Sequence, residues 1–286
     1  MKPENIEKIH ESFAQQAAEF EKPGRIFSKK EYLDYIVASV NPDKEDVMLE
    51  AAAGTCAVSR AFAPYVKTVV SMDGTPVMLE TGRKQADKEG HRNIIFTKGF
   101  VEDISFLDGF FDIVISRLAF HHFTDPKAAF HEMARVVKPG GRLVLVDMGA
   151  TPEPDRTVLA EFEILRDPSH VRNLSEEEMV DLFKGENLSI EVHSSKTIPQ
   201  DLEGWMDVTH TPEDVRKVIR TAMETELPGR KKTGFAPYRK ENGIGFDHKW
   251  ILITALTLAS DDMRQVREFA GRHPVIRYSP VYLPQS

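Results

Sequence analysis

Residues 47–73 read VMLEAAAGTCAVSRAFAPYVKTVVSMD, and this stretch decides the fold. It begins with an apolar run, Val47–Glu50, and ends with a second run, Thr68–Met72, that is rich in β-branched residues. The small residues 51–54 and a helical segment lie between the two runs. A strand, a turn, a helix and a second strand form the unit from which parallel α/β sheets are built. The stretch therefore predicts two neighbouring parallel strands.

The same alternation of strands and helices continues to about residue 147 and predicts a doubly wound, Rossmann-like α/β fold with a mostly parallel sheet. A helix is expected from Pro126 to Val137 because its apolar residues recur at helical spacing, and Lys138–Gly141 is expected to end it. The five strands predicted in this region are Val47–Glu50, Thr68–Met72, Asn93–Thr97, Phe111–Ser116 and Arg142–Val146.

The chain is expected to form one main domain, residues 41–260, with a segment on either side of it. Residues 1–40 read as amphipathic helices, broken at Pro23-Gly24, which form an N-terminal helical cap. Residues 261–286 have weak periodicity and are read as a C-terminal tail.

Two more strands are predicted downstream, at Leu188–Thr197 and Trp250–Leu258. Helices are expected near residues 175–183 and 212–226. The insertion at about 198–248, before the last strand, is long for a connection in a compact domain, and such segments often cover a substrate. We expect it to act as a lid.

Composition narrows the classes of function. The chain has 286 residues, of which 41% are hydrophobic, and it has a single cysteine, Cys56, which excludes a disulfide framework within one chain. The longest apolar stretch, residues 250–259, is too short to span a bilayer, and the N-terminus has no apolar core. The net charge of −8 disfavours nucleic acid and anionic membranes as partners. We expect a cytoplasmic protein that acts on a small molecule, and a homodimer is left open.

The residues that end the predicted strands are acidic and small. In open α/β sheets the ligand lies beyond the carboxyl ends of the strands, here at Glu50–Cys56 and at Asp73. A dinucleotide site would need several glycines to cradle a pyrophosphate, but this loop has only Gly54. Glu50 would repel phosphate and suits a ligand that carries an ammonium and a sulfonium, which describes S-adenosylmethionine. Asp73, 23 positions beyond Glu50, is placed to accept ribose hydroxyls, as it would be for NAD.

Three further motifs carry a resemblance to a family. LEAAAGTCAVSRAFAPYVKTVVSMDGTPVMLE (49–80), FLDGFFDIVISRLAFHHFTDP (106–126) and VVKPGGRLVLVDM (136–148) together resemble the class I S-adenosylmethionine-dependent methyltransferases of the ubiquinone and menaquinone biosynthesis type. The resemblance implies a seven-stranded sheet in the order 3-2-1-4-5-7-6 with the last-formed strand antiparallel. It also implies cofactor contacts from Glu50, Ala52, Gly54, Asp73, Gly74, Val101, Glu102 and Arg117.

The chain departs from the family pattern at two positions and lacks the motifs of other methyltransferase classes. Cys56 stands where relatives carry a second glycine, and Phe100 stands where they commonly carry an aspartate near the adenine. Residues 117–123 contain no proline, whereas base and glutamine methyltransferases have an Asn/Asp-Pro-Pro-aromatic motif there. The paired glutamates of arginine methyltransferases and the acidic magnesium cluster of catechol enzymes are also missing.

Histidines near the fourth strand are the candidates for proton transfer. His122 is the first choice for a general base or for substrate orientation, with His121 and His170 as further candidates, because a neutral imidazole accepts a proton near pH 7. The alternative, favoured for His121, is that one of the pair His121 and His122 hydrogen-bonds a backbone carbonyl and fixes the loop after the fourth strand, while the other faces solvent. Arg117 either contacts the cofactor or braces the same loop.

The substrate contacts are less defined by the sequence. Arg172 is a candidate in the polar segment 166–175, although Ser175 and Glu178 there also form a capping-box pattern. No metal-ligand spacing is visible, and no metal is expected. An apolar acceptor pocket could form under the cap and the insertion, lined by Phe20, Phe27, Trp205, Met206 and Trp250, although ordinary core packing is the stronger reading for Trp250 because it lies in a predicted strand.

The leading hypothesis is methyl transfer from S-adenosylmethionine to carbon, oxygen or nitrogen of a small, quinone-like or aromatic metabolite. Two rivals stay open at this point. A nicotinamide-dependent oxidoreductase would bind NAD and not S-adenosylmethionine. A non-catalytic binding or regulatory protein would bind the cofactor and release no S-adenosylhomocysteine with any acceptor.

Overall fold

A single twisted sheet runs through the centre of the computed structural model, which describes residues 3–22 and 25–258. The strands are β1 Val47–Ala51, β2 Thr68–Asp73, β3 Ile94–Lys98, β4 Phe111–Arg117, β5 Val137–Met148, β6 Ser189–Asp201, β7 Tyr238–Lys240 and β8 Gly243–Leu256. The helices are α1 Pro3–Phe20, α2 Lys30–Val40, α3 Ala57–Phe62, α4 Pro76–Glu89, α5 Pro126–Val136, α6 Asp155–Arg166, α7 Glu176–Gly185, α8 Leu202–Val208 and α9 Glu213–Glu226.

The strand order is β3-β2-β1-β4-β5-β8-β6, and β7 pairs with the outer part of β8. The predicted fold class is confirmed: without the three-residue β7, the order is the one that the family resemblance implies. Strands β1 to β5 are parallel to one another, while β8 lies antiparallel between β5 and β6. The short strand β7 was not expected from the sequence.

Helices cover both faces of the sheet, which explains why its central strands are almost wholly apolar. Leu49 and Val114 belong to a core cluster that includes Phe130 of α5 and Phe183 of α7. On the other face, Met48 and Ile113 pack in a second cluster with residues of α2 and α3. The alternation of adjacent residues between the two clusters follows from the period of two in a strand.

Strands β8 and β6, at one end of the sheet, are longer than the sequence predicts. Residues 198–201 continue β6, and residues 243–249 begin β8, so both segments leave the predicted insertion and join the sheet. Thr197–Asp201 of β6 pairs with Gly245–Lys249 of β8 beyond the edge of the other strands. What remains of the insertion consists mainly of α8, α9 and β7.

Two details around β5 and α6 differ from the sequence expectation. Val137 was assigned to a helix ended by Lys138–Gly141, but it begins β5 because it pairs with Phe111 of β4. A register shift between Phe111 and Ile113 accommodates the Pro139-Gly140-Gly141 turn within this pairing. Helix α6 was not predicted, although Leu159, Phe162 and the residues around them have its apolar spacing.

The first helix lies across the carboxyl ends of the strands. Helix α1 contacts α4 on one side and α8 on the other. Ser12 Oγ and Gln16 Nε2 of α1 donate hydrogen bonds to Asp167, at 3.0 and 3.2 Å, and so dock the helix onto the end of α6. The predicted break at Pro23-Gly24 and the predicted tail 261–286 lie outside the described residues. Within those residues, none of the helices has the length and apolarity needed to cross a membrane.

We expect Gly82→Ala to destabilise the protein. A Cβ at Gly82 of α4 would lie 2.6 Å from the carbonyl oxygen of Thr55 and 2.8 Å from Cys56 Sγ, so the helix or the loop must move. Overpacking of this kind outweighs the gain in helix propensity and should lower the free energy of unfolding by about 1–2 kcal/mol in urea denaturation. Gly185→Ala is the control, since nothing lies within 4 Å of its Cβ position. Equal stability of the two variants would contradict the close packing of α4 on the loop.

Candidate functional site

Two adjacent cavities open at the carboxyl ends of the strands, beneath α1. The first, with about 860 Å³ of empty space, lies over the ends of β1, β2 and β4, where the sequence placed the ligand. The second, with about 1070 Å³, extends toward α8 and the outer part of β8. Five residues line both cavities and form the boundary between them: Phe13, Phe20, Phe27, Leu118 and His122.

The loop after β1 has an unusual backbone that brings it close to the first cavity. Ala52, Gly54 and Cys56 all have positive φ angles, of 56°, 52° and 61°. Such angles are uncommon for residues with a Cβ and occur where the surroundings enforce them. Cys56 thus adopts the left-handed conformation that a glycine would take at this position. The loop is fixed at Ala53, whose backbone N–H donates to the Met72 carbonyl at 2.9 Å.

Glu50 is a buried carboxylate at the edge of the first cavity. Its Oε2 accepts hydrogen bonds from the backbone N–H of Ser59 at 2.7 Å and from Ser59 Oγ at 2.5 Å. Burial raises the pKa of Glu50 to about 7, and the bonds from Ser59 and the charge of Arg117 offset that effect only in part. A cation next to Glu50 would therefore be stabilised and would favour the ionised carboxylate.

Asp73 is held at the same level of the sheet by backbone donors. Its two oxygens accept from the N–H of Gly54 at 2.8 Å and from the N–H of Thr75 at 2.7 Å. Burial nevertheless raises the pKa of Asp73 above its usual range. Residues from β1 and β2 thus meet at one point, as the spacing between Glu50 and Asp73 led us to expect.

The other predicted cofactor residues are Gly74, Val101, Glu102 and Arg117, and all of them except Glu102 line the first cavity. Gly74 lies against Phe100, whose ring would be 2.8 Å from a Cβ at that position, and Phe100 stacks on His10 with ring centroids 6.2 Å apart. Val101 also lines the first cavity, whereas Glu102 does not. Phe100 is therefore a flat wall at the place where the family pattern has an aspartate.

Arg117 lines the first cavity and also braces the cap. Its guanidinium donates to the carbonyl oxygens of Phe27 at 2.8 Å and Ile26 at 3.4 Å, and it lies 5.1 Å from the ring centre of Trp250. Burial lowers the pKa of Arg117 to about 10. The bracing role that the sequence left open is thus visible in the structure, and cofactor contact stays a prediction.

His121 is anchored by a carboxylate that sequence reasoning missed. Its Nδ1 lies 2.7 Å from Oδ1 of Asp147, which also accepts from the backbone N–H of Phe120 and Met148. Although burial acts in the opposite direction, the neighbouring imidazole and these donors hold the pKa of Asp147 below its usual range. Asp147 ends an otherwise apolar run, and that single polar residue was the signal available in the sequence.

His122 has a defined orientation and tautomer. Its Nδ1 lies 3.1 Å from the Ser169 carbonyl oxygen and 3.2 Å from Ser169 Oγ, whose own proton is donated to Asp167 Oδ1 at 2.6 Å. Both neighbours of Nδ1 therefore act as acceptors, so Nδ1 carries the proton and Nε2 carries the lone pair. Burial and the adjacent His121 lower the pKa of His122, which keeps the ring neutral near pH 7. The expected contact to a backbone carbonyl belongs to His122, and the expectation that the other histidine faces solvent is wrong, because His121 is buried against Asp147.

The other predicted residues have different positions. His170 is buried, with its ring 5.4 Å from that of His121, and burial lowers its pKa to about 4, but it lines neither cavity. The structure does not bring Arg172 to the cavities, because its guanidinium pairs with Glu178 at 2.8 Å. Glu178 in turn completes the capping box with Ser175, which is confirmed. Phe27 and Trp205 line the second cavity as expected.

Asp167 and Ser169 are further residues that the sequence reading did not single out. Asp167 accepts hydrogen bonds from Ser169 and from two residues of α1, and Ser169 contacts His122. Asp167 is 155 positions from Ser12, so no local pattern could reveal this arrangement. Among the described residues, no group of three or more His, Cys, Asp or Glu side chains is arranged to hold a metal ion.

Comparisons with known proteins agree with this geometry. Residues 49–145 match a family model described as a methyltransferase domain. The chain is 34% identical over 245 residues to YcgJ of Bacillus subtilis, named an uncharacterized methyltransferase, with 84% of this chain and 95% of that protein covered. The crystal structure of YcgJ superposes with a TM-score of 0.73 and covers 80% of this chain and 99% of the other. A demethylmenaquinone methyltransferase of Clavibacter sepedonicus is 33% identical over 116 residues, 41% of this chain and 46% of its own length.

Replacement of Glu50 by Gln should stabilise the ligand-free protein at pH 8 and change little at pH 5. Because the pKa of Glu50 is raised to about 7, the fold favours the protonated carboxyl, and the stability linked to this group is lost as pH rises toward and past 7. Gln keeps an oxygen for Ser59 and carries no charge. Urea denaturation at pH 8 should show a gain of about 1–3 kcal/mol in the free energy of unfolding. The same gain at pH 5 would mean that ionisation of Glu50 is not the cause.

Proposed function

We propose, on the premise that the chain belongs to the class I S-adenosylmethionine-dependent methyltransferases, that it methylates a small, planar, quinone-like or aromatic molecule bound in the second cavity. The observation that carries the proposal is the boundary between the two cavities. His122 lies on it, with a neutral ring oriented by Ser169, and so faces both the cofactor side and the acceptor side.

The residues around the first cavity fit the cofactor. S-adenosylmethionine supplies an activated methyl group, together with an ammonium and a sulfonium that need anionic surroundings. Glu50 and the backbone of Ala52 and Gly54 would hold the methionine part, and Asp73 the ribose. Gly74, Phe100 and Val101 offer a flat wall for the adenine. The carboxylate at the loop entrance and the lack of a glycine-rich phosphate cradle argue against NAD.

The contribution of the protein to the reaction is alignment and proton removal. An acceptor hydroxyl or acidic carbon must lose a proton as the new bond forms. In this tautomer Nε2 of His122 is the ring nitrogen that would accept it, because Nδ1 is committed to Ser169; since the lowered pKa of His122 makes the ring a weak base, the proton of the acceptor must itself be acidic. Phe13, Phe20 and Phe27 exclude water from the boundary, and an apolar boundary favours close alignment of the two reactants.

The acceptor class is inferred from the second cavity and from one relative. Stacked aromatic rings, Phe20 and Phe27 with centroids 4.0 Å apart, provide flat surfaces for a planar body. The similarity to a demethylmenaquinone methyltransferase supports a quinone-like acceptor, although it covers 41% of this chain. The residues beyond 145, which build much of the second cavity, lie outside the matched family model.

The proposal is tested by measuring binding and turnover separately. Titration calorimetry should show S-adenosylmethionine binding and no comparable NAD binding. Release of S-adenosylhomocysteine should then be followed with a panel of phenols, hydroquinones and amines, and aromatic hydroxyl compounds should be the active ones. Tight cofactor binding with no release for any acceptor would favour a binding role, and NAD binding alone would overturn the assignment.

Asp73→Ala should weaken cofactor binding. Loss of charge-assisted hydrogen bonds to the ribose should cost about 1.5–3 kcal/mol of binding free energy. Asp73→Asn is the matched variant, since it keeps an oxygen for the N–H of Gly54 or Thr75 and so separates the charge from the loop geometry. Calorimetry with S-adenosylhomocysteine measures both, and unchanged affinity in the two variants would remove Asp73 from the cofactor site.

His122→Ala should slow methyl transfer and leave cofactor binding intact. Removal of a general base typically lowers kcat by about 10²–10⁴-fold. His122→Asn retains a donor for the Ser169 carbonyl but has no basic nitrogen, so it should be as slow as the alanine variant while preserving the loop. Single-turnover rates with the best acceptor of the panel provide the measurement. A fast asparagine variant would assign His122 a positioning role in place of proton transfer.

A further inference from the structure

We infer that the second cavity selects molecules that present carbonyl, carboxylate or phenolate oxygens, through N–H donors of Trp205, Trp250 and Arg166. The inference rests on the proposed function and specifies the acceptor that the cavity takes. It depends on which polar atoms of the lining have partners and which do not.

Both tryptophans of the chain line this cavity. Trp205 and Trp250 are 5% and 4% exposed, and the Nε1 atom of each is buried with no hydrogen-bond acceptor among the described residues. An indole N–H only donates, and buried donors in folded proteins nearly always have a partner. Within residues 3–22 and 25–258, the two indoles therefore lack the acceptor atoms that buried donors nearly always have.

Arg166 adds a third donor next to Trp205. Its guanidinium stacks 4.3 Å from the Trp205 ring centre, and one terminal nitrogen donates to Glu163 Oε2 at 3.0 Å. Its Nε is buried and has no partner among the described residues. Because the charge of Arg166 is already balanced by the buried Glu163, the Nε–H serves a neutral carbonyl as well as an anion.

The carboxylates of the same lining are already engaged. Asp167 accepts from Ser12, Gln16 and Ser169, and Asp201 accepts from the backbone N–H of Gly204 at 2.9 Å. A ligand with only N–H donors, such as an amine, would therefore leave the indole and guanidinium donors unpaired. These donors are already unpaired without a ligand, so a ligand with oxygen acceptors gains their hydrogen bonds on binding and an amine does not, which favours the oxygen-bearing ligand.

The test uses the two indole N–H groups as reporters. In ¹⁵N-labelled protein saturated with S-adenosylhomocysteine, only two indole signals occur, and Trp205→Phe and Trp250→Phe assign them. 1-Hydroxy-2-naphthoate carries oxygens on a flat apolar body, and 2-(aminomethyl)naphthalene is the matched probe with N–H donors only. We expect the naphthoate to shift the indole signals and the amine to leave them in place.

Affinity provides the second readout. Each Trp→Phe variant keeps an aromatic ring and loses the donor, so the Kd of the naphthoate should rise about 3–10-fold. Tyr32→Phe is the control: its ring lies 5.4 Å from that of Trp250, it lines neither cavity, and it should leave the Kd unchanged. Retention of S-adenosylhomocysteine binding in each variant shows that the fold is intact.

Failure of this inference is distinct from failure of the proposed function. Absence of naphthoate binding, equal indole shifts with both probes, or unchanged affinity in both tryptophan variants would overturn the donor assignment, while cofactor binding and turnover could persist. Loss of the proposed function would instead appear as a lack of S-adenosylmethionine binding or of methyl transfer, with the indole signals still responding to the naphthoate.

Discussion

Carboxylates at the carboxyl ends of the strands fix the shape of the loops that line the two cavities. Glu50, Asp73 and Asp147 lie at or near the carboxyl ends of β1, β2 and β5; Glu50 and Asp147 are buried and Asp73 is half-buried, and an ionised carboxylate is costly to bury unless donors surround it. Each one is therefore hydrogen-bonded to a neighbouring segment. Glu50 accepts from Ser59 at the start of α3, Asp73 accepts from the N–H of Gly54 in the loop, and Asp147 contacts the imidazole of His121. The loops that line the cavities have their shape because these acceptors must be satisfied. The orientation of His121 follows from the same electrostatic requirement.

The sheet could be predicted because its strands are buried on both faces, and continuous runs of β-branched residues are typical of such strands. The lengths of β6 and β8 could not, since Asp247, His248 and Lys249 read as a polar loop. They are in a strand because β8 extends past β5 and pairs there with β6, with Asp247 and Lys249 exposed to water and His248 half-buried. The residues of α6 have the apolar spacing of a helix. The helix is short and lies between two prolines and a polar segment, so the sequence did not predict it.

The parts of the site that follow from the order of the strands along the chain could be predicted from the sequence. Parallel strands bring their carboxyl ends to one edge, so Glu50 and Asp73 could be placed together from sequence distance alone. The environment of His122 could not, because Ser169 and α1 reach it through contacts between segments far apart in the chain. Arg172 illustrates the same difficulty: the sequence makes it a candidate ligand contact because it is a polar loop residue near a functional segment, whereas the structure pairs it with Glu178 at the helix cap.

The strand β8 is the last to be added to the sheet, and it runs opposite to its neighbours. This reversal carries Trp250 and His248 to the same edge where the parallel strands end, and the excursion through α8 between β6 and β8 brings Trp205 there too. The second cavity is thus lined largely by residues beyond 145, outside the segment that the family model matches. None of the residues that line the first cavity lies in 199–250, so under the proposed function an exchange of that segment alters the acceptor side and leaves the cofactor side in place.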